Sequence, residues 1–191
     1  MESIKYIYSR LDKSLKEKFK KIKLIATDFD GVLTNNQVIH NQNGIESVIR
    51  SRADSQGIDL LYDAGLYDKI DYRSINHKVD IIIMSRESNP IVKSVAEKIK
   101  VKCLDSKYNK IEALEKEVQK RSLDYSEVLF IGNDINDIEC MKKAGIGVAV
   151  ADSFPQVLNI AGYITRKKGG EGAFREVCEL ILYAKEVHPC A

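Results

Sequence analysis

The chain has 191 residues, 44% hydrophobic and 30% charged, the mix of a soluble globular domain with enough apolar surface for its own core. Thirty basic against twenty-eight acidic side chains leave a net charge of +2, which gives no reason to expect nucleic acid or an anionic membrane as partner. No apolar run approaches the ~20 residues of a membrane-spanning helix. The four cysteines, Cys103, Cys140, Cys178 and Cys190, are too scattered for a CxxC metal site or a disulfide framework, so a reducing cytoplasm is the expected compartment.

At the N-terminus, Ile4, Ile7, Leu11, Leu15, Phe19 and Ile22 recur every three or four residues. That spacing predicts one amphipathic helix over 1–22, its lysines forming a solvated face. The segment has no apolar signal-peptide core. Five short β-like runs follow, at 24–28, 79–84, 101–104, 128–131 and 147–150. Helical stretches alternate with them around 58–64, 90–98, 110–120 and 135–144. Apolar strands alternating with helices predict an α/β fold with a doubly wound parallel sheet. No linker or repeat divides the chain, so 1–191 reads as a single domain.

One segment interrupts the alternation. Two β-permissive runs, 37–40 and 46–50, flank Asn41-Gln42-Asn43-Gly44, which predicts a hairpin over about 35–50. It would leave the carboxyl end of the first strand, where ligands bind in open α/β sheets, and act as a flap.

Four groups of residues could do chemistry. Asp28-Phe29-Asp30-Gly31-Val32-Leu33-Thr34 puts two carboxylates two residues apart at a strand end, with Gly31 allowing a tight turn. Such a pair suits a nucleophile with an acid/base, or the core of a Mg²⁺ site. The calcium-loop reading fails, because the twelve-residue ligand pattern is missing. Gly132-Asn133-Asp134-Ile135-Asn136-Asp137 brings more oxygen donors to another strand end. Helix capping would explain one such cluster. Two clusters at the ends of one parallel sheet call for a cation between them. Ser85, ending Asp80-Ile81-Ile82-Ile83-Met84, and Lys110, in Tyr108-Asn109-Lys110-Ile111, could hold the oxygens of a phosphate. Taken alone, Ser85 reads as a helix cap and Lys110 as a surface lysine.

In this order, each after a strand, the four groups resemble the motifs of the haloacid dehalogenase-like phosphatase superfamily. The resemblance implies Asp28 as nucleophile, Asp30 as general acid/base, Ser85 and Lys110 as catalytic phosphate-holding groups, and 132–137 as the metal motif. It also implies Gly31 and Arg86 among the substrate contacts, and a Mg²⁺ cofactor held from Asp28, Asp30, Asn133, Asp134 and Asp137. From about 24 to 187 the chain is similar to the KDO 8-phosphate phosphatase family, and to the related domain fused to acylneuraminate cytidylyltransferases. The likeness includes Arg52-Ala53-Asp54-Ser55-Gln56-Gly57-Ile58, Ser85-Arg86-Glu87-Ser88-Asn89-Pro90 and Ala149-Val150-Ala151-Asp152-Ser153. It ends with Arg166-Lys167-Lys168-Gly169-Gly170-Glu171-Gly172-Ala173-Phe174-Arg175-Glu176, a resemblance that implies a glycine-rich turn before a closing helix at about 172–187.

That family implies no large cap domain, a hairpin in its place, and a homotetramer that completes the site. It implies a phosphorylated eight- or nine-carbon keto-sugar acid as substrate, whose carboxylate Arg52, Arg86 or Lys168 could pair. Two departures stand out. Gly132-Asn133-Asp134 replaces the family's Gly-Asp-Asp, leaving Asn133 or Asp134 as the metal ligand, and Ser85-Arg86-Glu87 replaces Thr-Gly-Arg. The first leaves a rival reading: a catalytically weak or inactive oligomerisation module of a sialic-acid-type sugar-nucleotide pathway. A receiver domain fits less well, since it lacks the second aspartate and the hairpin.

Overall fold

The computed structural model describes residues 3–75, 77–87, 89–105 and 109–187. Ser88, Tyr108 and Cys190, named above, lie outside the described residues, as do the first two positions of the expected N-terminal helix.

That helix is two. Helix α1 (Ile4–Arg10) ends at Leu11, whose backbone is extended, and α2 (Lys13–Lys21) starts anew. The cause is Asp12: its carboxylate accepts the Leu15 N–H at 2.8 Å, capping a fresh helix start and interrupting the old one. The apolar stripe survives the break, because Ile7, Phe19 and Ile22 are all buried in one core.

The first sheet strand, β1 (Leu24–Thr27), is followed by a hairpin of β2 (Val38–His40) and β3 (Glu46–Val48). Its turn is built by Asn41, whose side chain accepts the N–H groups of Asn43 at 2.9 Å and Ile45 at 3.0 Å. Its root is closed by Asn35 N–H donating to Ile49 O at 3.1 Å. Then come α3 (Arg52–Asp63), β4 (Asp80–Ser85), α4 (Pro90–Ile99), β5 (Lys102–Asp105) and α5 (Lys110–Lys120). The chain closes with β6 (Val128–Gly132), α6 (Ile138–Lys143), β7 (Ile146–Ala149), α7 (Pro155–Leu158), β8 (Tyr163–Ile164) and α8 (Ala173–Ala184).

Six strands form one parallel sheet in the order β5-β4-β1-β6-β7-β8. The expected α/β fold is present, with one strand more than the sequence pattern offers. Strand β8 is two residues long, too short to leave a periodic signal. Alternate strand residues feed two cores. Ile25, Ile83 and Ile131 pack against α3, α4 and α8 on one face, with α1 and α2 outside them. Leu24, Ala26 and Phe130 pack against α5, α6 and α7 on the other. No described helix is long and apolar enough to cross a membrane.

Because all six strands run one way, their carboxyl ends share one edge. The connections depart in opposite directions from β1, toward β4 on one side and β6 on the other. Such a switch point opens a crevice above the strand ends. Asp28 and Asn133 each directly follow one of these strands.

Candidate active site

Four segments meet in the crevice. Asp28 leaves β1 buried, held by its own N–H donating to Ile131 O at 2.9 Å. Its Oδ1 accepts the Phe29 N–H at 2.7 Å and lies 2.8 Å from Lys110 Nζ. Lys110 opens α5 and is only 4% exposed. Its ammonium also bonds Asp137 Oδ1 at 2.8 Å, so it bridges two carboxylates. Burial raises the Asp28 carboxyl to about 7, with the Asp137 charge adding to the rise and Lys110 opposing it. Burial alone would lower Lys110, but the Asp28 and Asp137 charges outweigh it and raise the ammonium's pKa.

Asp30 is partly exposed, and burial followed by the Glu87 charge raises its carboxyl above the usual range. Thr34, quoted in the sequence motif without a role, organises this turn. Its Oγ1 accepts the Gly31 N–H at 3.1 Å and donates a long bond to Asp30 Oδ1 at 3.5 Å. Gly31 has a φ of +79°, and a Cβ there would fall 2.1 Å from Asn133 Nδ2. Both the turn and the close approach of Asn133 therefore require glycine.

After β6, the chain turns through a short 3-10 segment, Ile135–Asp137. Asp134 caps that turn, its Oδ1 accepting the Ile135 N–H at 2.6 Å. Asp137 is fully buried, and its Oδ2 receives the N–H groups of Asn133 at 2.9 Å and Asp134 at 3.3 Å. Both Asp137 oxygens are thus committed to the protein. Asn133 differs: it is 5% exposed, and its Oδ1 is buried with no hydrogen-bond partner. An orphaned amide oxygen costs about 1–3 kcal/mol, unless a ligand meets it.

Ser85 ends β4 buried, its Oγ accepting the Glu87 N–H at 3.0 Å. Arg86 is exposed, and it lines the mouth of the crevice together with Asp28, Asp30, Ser85, Asn133 and Asp134. Of the other cations singled out in the sequence, Lys168 is exposed outside this lining and Arg52 lies in a separate cleft.

The glycine-rich segment supports the crevice from behind. A Cβ on Gly169 would fall 1.9 Å from Gly31 O, and Gly170 N–H donates to Val32 O at 2.8 Å. Asp152 holds this strap in place, its Oδ1 accepting the Gly169 N–H at 2.9 Å. Consecutive glycines signal a close backbone approach, but no sequence pattern says to which segment.

These donors fit a hard divalent cation. Among the described residues no three His, Cys, Asp or Glu side chains gather as a metal cluster. The available set is instead the Asp28 carboxylate, the Asn133 amide oxygen and backbone carbonyls, oxygen donors of the kind magnesium accepts beside water and phosphate.

A family model for haloacid dehalogenase-like hydrolases matches residues 83–176. The structure of a HAD superfamily subfamily III A hydrolase from Legionella pneumophila is 30% identical, with a TM-score of 0.82 over 94% of this chain and 91% of that one. The chain belongs to the haloacid dehalogenase-like superfamily, in its KDO 8-phosphate phosphatase branch. The Moraxella catarrhalis 3-deoxy-D-manno-octulosonate 8-phosphate phosphatase, crystallised with magnesium, phosphate and KDO, is 30% identical. It superposes with a TM-score of 0.81 over 92% of this chain and 94% of that one. The enzyme of that name from Escherichia coli (strain B / BL21-DE3) is 28% identical over 184 residues, 96% of this chain and 91% of its own.

Proposed function

We propose that this chain is a Mg²⁺-dependent phosphomonoesterase of the cytoplasm, acting on a phosphorylated keto-sugar acid: KDO 8-phosphate or a nonulosonate 9-phosphate. One observation carries the reading. Lys110 fixes a buried Asp28 beside the orphaned Asn133 oxygen, at the switch point of a parallel sheet.

Asp28 attacks phosphorus in line, forming an aspartyl-phosphate as the bond to the sugar oxygen breaks. Asp30, whose raised pKa favours the protonated form, gives its proton to the departing sugar oxygen. It then takes a proton from the water that attacks phosphorus, and phosphate leaves as the bond to Asp28 breaks. Lys110 keeps the Asp28 carboxylate oriented and offsets its charge, while Asp137 holds Lys110. Ser85 and the Gly31 N–H would hold the transferring oxygens, the Gly31 N–H exchanging its bond to Thr34 Oγ1 for one to phosphate. The Asp28 carboxylate, the Asp30 carbonyl and Asn133 Oδ1 would hold magnesium, which supplies positive charge against the phosphoryl oxygens. Asp134, occupied with its cap, fits that role less well than Asn133.

The hairpin bears exposed Val38, Ile39, Ile45 and Ile49, an apolar surface that supports assembly as a homotetramer. A second reading rests on Asn133 itself, since an amide in place of a carboxylate weakens metal binding and suits an assembly module without turnover. Phosphate release with Mg²⁺ from KDO 8-phosphate and from a 9-phosphorylated nonulosonic acid separates the two. Release from either supports the phosphatase, and the faster sugar names the substrate. A folded oligomer that releases phosphate from neither sugar, nor from para-nitrophenyl phosphate, overturns it.

A further inference from the structure

A second charged cleft lies away from the crevice. It runs between α3 and the end of α4, has a volume of about 390 Å³, and shares no lining residue with the crevice mouth. Four cations line it: Arg50, Arg52, Lys69 and Lys98. The one carboxylate in the lining, Asp59, is already taken by an ion pair with Lys69. Arg52 and Lys98 are exposed and form no ion pair among the described residues.

Arg50 is the unusual member. It is half-buried, its Nη2 donates to Ser55 Oγ at 2.8 Å, and its Nε is buried with no hydrogen-bond partner. No carboxylate lies within ion-pair distance of it among the described residues; burial lowers its pKa, and the more distant Asp54 charge opposes that shift. A guanidinium drawn out of water onto a single neutral hydroxyl is costly unless an anion joins it. Three cations that form no ion pair among the described residues, in a cleft of small-molecule size, describe a receptor for a polyanion.

We propose that the cleft between α3 and α4 binds a small polyanionic metabolite, an organic phosphate or a di- or tricarboxylate, through Arg50, Arg52 and Lys98. Arg50 lies just beyond β3, and Ile49 beside it closes the hairpin root through Asn35. An anion on Arg50 therefore braces the flap from outside the crevice. The inference stands whether or not the crevice is a phosphatase.

The test is calorimetric titration of the full chain, freed of metal, with pyrophosphate and with citrate at physiological ionic strength. Without a cation the crevice presents carboxylates, so anion binding there is disfavoured. One site per chain is expected for at least one probe, and the tighter probe names the phosphate or carboxylate class. The double substitution Arg52→Ala with Lys98→Ala changes exposed side chains, so it should keep the fold and the turnover of para-nitrophenyl phosphate. It should weaken the probe at least tenfold. No binding by the unmodified chain, or unchanged binding by the double variant, overturns the proposal. Loss of the site with Arg86→Ala would place the probe in the crevice and overturn it too.

Discussion

Lys110 Nζ stands 2.8 Å from Oδ1 of Asp137 and the same distance from Oδ1 of Asp28, one ammonium holding carboxylates that follow two different strands. The other oxygen of Asp137 receives the Asn133 N–H. The Asp28 turn, the start of α5 and the turn after β6 are therefore one hydrogen-bonded unit. Without the ammonium, two buried carboxylates would compete for a proton.

Lys110→Met should accordingly destabilise the metal-free protein by about 3–5 kcal/mol, the cost of leaving buried charges unpaired. Urea unfolding measures this directly. A loss under about 1 kcal/mol would show that the carboxylates do not depend on Lys110.

Asn133→Asp restores a carboxylate where the family's usual metal motif has one. Adding charge to the donor set should lower the Mg²⁺ concentration for half-maximal activity several-fold. Asn133→Ala should raise it by a similar factor or more. Titration of turnover against Mg²⁺ compares the three proteins. An unchanged midpoint in both variants would remove Asn133 from the metal site.

The strap behind the crevice gives a steric prediction with an internal control. In Gly169→Ala the new methyl meets Gly31 O at 1.9 Å, a backbone atom that cannot turn aside. The cost should reach about 1–3 kcal/mol or more, with a clear loss of kcat as the Asp28–Gly31 turn shifts. Gly162→Ala places its methyl 3.6 Å from Gly147 O and should change neither property. Thermal unfolding and initial rates on both variants decide it.

Asp54 gives a pH dependence away from the metal. It is buried in α3 and accepts the N–H groups of Gly172 and Arg175 at 3.2 Å each, capping α8, whose own N-cap is a glycine. Burial raises its carboxyl to about 6, against the ordinary 3.8, with those backbone bonds opposing the rise. A pKa raised by folding adds stability below pH 3.8 that is lost as pH climbs through about 6. From pH 4 to 7 the protein should therefore lose stability relative to Asp54→Asn, by at most about 3 kcal/mol. Chemical denaturation of both proteins across that range tests the sign. A flat difference would mean that Asp54 is ionised throughout.

What the sequence exposed followed from local chemistry. Apolar runs such as Ile81–Met84 announced buried parallel strands, and Asn41 with Gly44 announced the hairpin turn. Asp28, Asp30, Ser85 and Lys110 stood out only jointly, through their order after successive strands. Their spatial meeting depends on the sheet order, which no local pattern encodes. For the same reason Asp54 capping a helix over a hundred residues away, and Asp152 fixing Gly169, were not legible. The break at Leu11 leaves no mark on the apolar period, which continues unchanged through it, while Asp12 starts a new helix by a single side-chain bond. Between Asn133 and Asp134, residue type could not choose. The proposed site takes Asn133 because Asp134 Oδ1 accepts the Ile135 N–H, whereas the buried Asn133 Oδ1 has no hydrogen-bond partner.

The most direct test of the account is phosphate release by the intact protein and by Asp28→Asn, each with and without Mg²⁺. The substitution is nearly isosteric, so the fold should survive, as circular dichroism would report. Release that requires Mg²⁺ and falls by about a thousandfold or more in Asp28→Asn is the predicted result, matching loss of the attacking group. Comparable turnover by a folded Asp28→Asn protein would contradict an aspartyl-phosphate mechanism at this residue.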